Sequence, residues 1–121
     1  MMKELLSLRF PLGSDILTTV RLATGGVCSL AGLNLDESED CKVCVTESLL
    51  LLQHGGSRAA RLAFYSDGGL RVEITSEEAG APVPCAEDEI SLALLSALVE
   101  NLAIERENDR LSCVKFRFGT K

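Results

Sequence analysis

The chain has no tryptophan, one tyrosine and four phenylalanines among its 121 residues. Its core must therefore come from Leu, Val, Ile and Ala, in a single domain spanning residues 1–121. Positive charge is also scarce, with 12 Lys and Arg against 18 Asp and Glu and a formal net charge of −6. Binding to a phosphate backbone needs clustered cations, so this balance argues against nucleic acid and for a basic or uncharged protein surface as partner. No apolar run approaches the roughly 18 residues of a membrane span. The opening Met1-Met2-Lys3-Glu4-Leu5-Leu6 is too short and too acidic for a signal peptide, so the expected location is the cytoplasm.

Metal and redox motifs are thin. Five cysteines (Cys28, Cys41, Cys44, Cys85 and Cys113) make an odd number, scattered as small buried thiols are in a reducing compartment. Cys41-Lys-Val-Cys44 has C-x-x-C spacing, but it falls inside a helical stretch, has no second such pair, and stands ten residues from the single histidine. Packing is its expected role, and no metal site is assigned.

What the chain does have is clear periodicity. Val43, Glu47, Leu51 and His54 recur at spacings of four, four and three, one face of a helix. Asp36 with Glu39 supplies a capping-box start and Gly55-Gly56 a stop. Before it, Leu6, Leu8 and Phe10 alternate with Ser7 and Arg9 as a strand ended by Pro11. Ser14 or Asp15 can cap a helix with Ile16, Val20, Ala23, Val27 and Leu30 on its apolar side, closed by Gly32. Gly25-Gly26 in its middle costs roughly 1 kcal/mol per glycine relative to alanine, which predicts close helix packing or a kink there.

After Gly56 the period becomes two. Leu62 and Phe64 point inward, Asp67-Gly68-Gly69 turns, and Leu70, Val72 and Ile74 follow, the pattern of a hairpin. Residues 76–86 hold two prolines and no period, which predicts a loop. Glu87-Asp88-Glu89 opens a third helix with Ile90, Leu94, Ala97 and Leu98 on one side and Leu92, Leu95 and Val99 on the other. A last hairpin turns at Asn108-Asp109, with Val114, Phe116 and Phe118 inward. These elements predict an α/β (α+β) two-layer sandwich: a mixed, mainly antiparallel sheet with three helices on one face.

The element order, the strand ending Phe10-Pro11, Thr46-Glu47 followed by His54-Gly55, and the closing segment from Leu98-Val99-Glu100 to Phe118 resemble the GHKL ATPase fold. Within it they look most like the small bacterial anti-sigma factor serine kinases of partner switching. The resemblance implies transcription regulation, a homodimer, a sigma factor or anti-anti-sigma-like protein as partner, and Mg-ATP as cofactor where the family function is retained. In the family a Glu assists the chemistry at the nucleotide, and an Asn four residues on helps to hold Mg²⁺. Glu47 matches the Glu, but Leu51 stands where the Asn would be and offers no lone pair. His54 matches a family His, and a His there also suits the helix C-terminal dipole.

The family's Asp-x-Gly-x-Gly adenine motif falls on Ser76-Glu77-Glu78-Ala79-Gly80-Ala81, with Glu77 or Glu78 in place of the Asp and Gly80 the one glycine. The later phosphate-cradling Gly-x-Gly is replaced by Ala86-Glu87-Asp88-Glu89. Acidic side chains there already satisfy the helix N-terminus and would repel a triphosphate, by about 4 kcal/mol for two unit charges 4 Å apart at an effective dielectric of 20. The expectation is a degenerate member: a regulatory binding domain with nucleotide binding and phosphotransfer lost or weak, and no cofactor. The alternative is an active serine kinase with divergent motifs, in which Glu47 is the catalytic residue.

Overall fold

A computed structural model describes residues 2–83 and 85–119. Along the chain these form β1 (Lys3–Pro11), α1 (Leu17–Leu30), α2 (Leu35–His54), β2 (Ser57–Ser66), β3 (Leu70–Ala79), α3 (Asp88–Leu98), β4 (Glu100–Glu107) and β5 (Arg110–Phe118). No described helix is long and apolar enough to cross a membrane.

Local chemistry sets most of the ends. Gly32, at φ 78°, closes α1 with Leu33 N–H donating to the Cys28 carbonyl at 3.0 Å, a Schellman stop. Two residues later Asn34 starts α2. Its side-chain oxygen accepts from Glu37 N–H at 2.8 Å, and the Glu37 carboxylate accepts from Asn34 N–H at 3.0 Å. The capping box is thus Asn34 with Glu37, where Asp36 with Glu39 was expected. Both pairs have the right spacing, and the extended backbone that Asn34 holds immediately after the Gly32 turn selects the first. At the start of α1 the cap position is Ile16, with no side-chain cap bond, so neither Ser14 nor Asp15 serves.

Gly25 and Gly26 do not break α1. A Cβ on Gly25 would come 2.9 Å from Lys42 Cε of α2, while one on Gly26 would meet nothing. Gly25 therefore marks the predicted close approach of the two helices, and Gly26 is simply exposed.

The sheet has the order β1-β2-β3-β5-β4, with every neighbouring pair antiparallel. A mixed sheet was expected. The single crossover α3 does return the chain so that β4 runs in the direction of β3, but β5 inserts between them and no parallel neighbours meet. β3 also runs on to Ala79, so residues 76–79 are strand rather than loop. The β2 ladder continues past the apolar stretch, pairing Ala59 with Glu77 and Ser57 with Ala79.

One face of the sheet is covered. Leu62, Phe64, Leu70, Val72, Ile74, Val114, Phe116 and Phe118 are buried there, while Arg61, Tyr65, Arg71, Glu73, Lys115 and Arg117 alternate with them. Helix α2 contacts β2, β3 and β5, and α1 and α3 each pack against α2. Val45, Leu49 and Leu52 of α2 are buried in this core, where truncating a leucine to alanine costs about 2–5 kcal/mol.

Candidate functional site

The last two turns of α2 and the first two of α3 lie side by side. Glu47, Leu51 and His54 share one stripe of α2, as their spacing requires, and Asp88 and Ser91, three apart, share one stripe of α3. The stripes meet in two polar contacts. Ser91 Oγ donates to Glu47 Oε1 at 2.8 Å, and His54 Nδ1 lies 2.7 Å from Asp88 Oδ1. Because His54 pairs with the start of α3 and Glu47 with a residue further along it, the two helices run antiparallel here. Leu51, between Glu47 and His54 on α2, is buried with only 6 % exposure.

The His54–Asp88 contact suits both helix ends. A basic ring in the last turn of α2 and a carboxylate in the first turn of α3 each oppose the local helix dipole. The segment between β3 and α3 is tied to the same place. Val83 N–H donates to the His54 carbonyl at 2.7 Å, and Gly80 N–H to the Gly56 carbonyl at 2.6 Å. Gly56 makes this approach possible: its φ is 98°, and a Cβ there would lie 2.5 Å from the Gly80 carbonyl oxygen.

Asp88 N–H then donates to the Cys85 carbonyl at 3.1 Å, a turn that puts Cys85 beside the start of α3. The ligand atoms of His54, Cys85 and Asp88 all lie within 4.8 Å of one another, each residue half-buried.

A scan against models of known protein families and a search of curated proteins both find no match. The site is therefore read from its own chemistry.

The remaining expected positions do not assemble with Glu47. Glu77 lies on the solvated face of the sheet with Arg61, Glu73 and Thr75. Glu78 is exposed at the strand end with φ 50°, and both carboxylates pair with Arg9, at 3.5 Å and 3.1 Å. They also line a cleft of about 430 Å³ between the end of β3 and the β4–β5 turn, which Glu47, Leu51 and His54 do not reach. Gly80 alone of that motif comes to the α2 end, through its backbone bond to Gly56.

Cys41 and Cys44 are fully buried in the core. Burial, with Asp40 and Glu47 adding negative charge nearby, pushes the Cys44 thiol up to about 12. The Cys41 thiol is raised as well, first by its hydrogen bond with Cys28 and then by burial. Both thiols stay protonated near neutral pH, as buried packing side chains do.

Sequence reasoning found one side of this site and missed the other. Cys85 and Ser91 carried no signal of their own, and Asp88 was read as a helix starter and as an acidic replacement in the phosphate motif, not as a partner of His54. The Asp88-x-x-Ser91 spacing could have marked one helical face. Nothing in the sequence could have placed it against residues 34 and 44 positions earlier.

Proposed function

We propose that the chain is a regulatory protein-binding domain of the anti-sigma factor kind, with the GHKL-like arrangement retained and Mg-ATP binding and phosphotransfer lost. The observation that carries this reading is the engagement of Glu47 by Ser91, with buried Leu51 beside it. A carboxylate already bonded to a neighbouring helix is a poor candidate for activating a hydroxyl. A leucine in the Asn position gives Mg²⁺ no oxygen ligand, so the residues present do not fit the cofactor.

Binding is the remaining use for the surface. α3 buries Ser91 and Leu95 but leaves Ile90 62 % and Leu94 37 % exposed on its outer side. That apolar strip on an acidic chain suits a second copy or a basic or uncharged partner surface, such as a sigma factor or an anti-anti-sigma-like protein.

A thermal melt with and without millimolar Mg-ATP tests the loss of nucleotide binding. The expected result is an unchanged Tm. Ligand at 100 times its Kd would stabilise the fold by about 2.7 kcal/mol, a rise on the order of 8 °C or more. Such a rise, with serine phosphorylation of a partner, would restore the kinase reading.

A further inference from the structure

We infer that His54, Cys85 and Asp88 form a binding site for a thiophilic divalent transition ion of the zinc class. The three donors come from three places in the fold: the last turn of α2, the segment after β3, and the first turn of α3. They are also three donor types, an imidazole nitrogen, a thiol sulfur and a carboxylate oxygen. That combination suits zinc and its neighbours and does not suit Mg²⁺ or Ca²⁺, which take oxygen.

The geometry is close to what such an ion requires. Tetrahedral coordination at ordinary bond lengths separates a nitrogen and an oxygen ligand by roughly 3.3 Å, and either from a sulfur by roughly 3.6 Å. His54 Nδ1 and Asp88 Oδ1 stand 2.7 Å apart, so they need to open by roughly 0.6 Å. Cys85 Sγ lies within 4.8 Å of a ring nitrogen of His54 and of a carboxylate oxygen of Asp88, and needs to move inward by up to about 1.2 Å. Small side-chain rotations cover both movements while the backbone stays held by the Val83–His54 and Asp88–Cys85 hydrogen bonds.

The ion takes the place of the proton between His54 and Asp88. The bound ring is neutral with its single proton on Nε2, any further proton displaced from the His54–Asp88 contact passes to solvent, and Cys85 binds as a thiolate after releasing its proton to solvent. Glu87 and Glu89, exposed on either side of Asp88, add negative charge that favours a dication. Three protein ligands leave a fourth position for water or for a donor from a bound partner. A His–Asp pair serving only the helix dipoles has no use for the thiol, and this difference makes the inference testable.

The full chain, stripped with a chelator, is titrated first with Co²⁺ and then with Zn²⁺. The expected result is one ion per chain, with a thiolate-to-cobalt charge-transfer band and the intense visible bands of a four-coordinate site, both lost on adding Zn²⁺. Cys85→Ser should abolish the charge-transfer band. Asp88→Asn and His54→Gln, the latter keeping side-chain length, should each weaken Zn²⁺ binding at least about 100-fold in chelator competition. Far-UV circular dichroism checks that each variant is folded.

A folded wild-type chain that leaves Zn²⁺ in the competing chelator overturns the inference. So does a charge-transfer band that survives in Cys85→Ser, which would place the ion on the other cysteines.

Discussion

Ser91 is a single hydroxyl that holds a half-buried carboxylate, and its removal isolates that contact. Ser91→Ala leaves Glu47 Oε1 without this donor while changing little volume. The expected cost is about 1 kcal/mol in urea denaturation, or a fall of about 4 °C in Tm. The cysteines make a second prediction at the same scale. Cys28, Cys41, Cys44 and Cys113 are buried and Cys85 is half-exposed, so a thiol reagent should modify Cys85 fast and the other four only as the chain opens. The burial of Cys44 also sets a pH dependence. The Cys44 thiol is raised from its ordinary 9.0 to about 12, so between those values the unfolded chain releases a proton that the folded chain keeps. Stability is thus unaffected by this group below the lower value and falls as pH rises through the window, by up to about 1.4 kcal/mol per pH unit. Cys41 and Cys113 are shifted in the same direction, while the hydrogen bond from Cys41 lowers Cys28 and offsets part of their effect. Urea midpoints at about pH 8 and about pH 10.5 should differ accordingly, with the alkaline one lower.

At the scale of the element, two glycines make a matched test. Gly56→Ala puts a Cβ at φ 98° against the Gly80 carbonyl oxygen and the Ala81 backbone. The strain should cost about 1–3 kcal/mol or more. It should also loosen the 80–83 segment from the end of α2, visible as faster amide exchange at Gly80 and Val83. Gly26→Ala stands in the middle of α1 with nothing near its Cβ, and should stabilise the chain by about 0.5–1 kcal/mol. The helices and hairpins themselves were legible because their signals are local. Asp67-Gly68-Gly69 and Asn108-Asp109 turn where expected, with Gly68, Asn108 and Asp109 all at positive φ. The α2 start was legible only as a choice, since Asn34 and Asp36 each have a Glu three residues on. The length of β3 was not legible, because Ser76–Ala79 is strand through its pairing with β2 and not through its own pattern.

For the whole molecule, α3 offered two apolar sides and only packing could choose between them. α2 took the side with Leu95 and Ser91, leaving Ile90 and Leu94 outside. If those residues make the contact between copies, light scattering should find twice the chain mass for the parent protein. An Ile90→Lys, Leu94→Lys double variant should then be a folded monomer with unchanged far-UV circular dichroism. A parent that is monomeric at high concentration would leave the strip to a different protein. The site was half legible for the same reason: helical spacing put Glu47, Leu51 and His54 on one face, but not what that face would meet.

The sequence by itself determined the strands and helices, their approximate ends, their inward faces on the sheet and the net negative charge of the chain. Each of these depends on residues within a turn or two of one another, or on charge summed over the chain. Only the tertiary structure decided the order of the strands, the buried side of α3, the bond from Ser91 to Glu47 and the convergence of His54, Cys85 and Asp88. Those contacts join side chains up to 44 positions apart. They exist because α2 must bury one stripe on the sheet and the next on α3, a requirement of packing that leaves no local pattern in the chain.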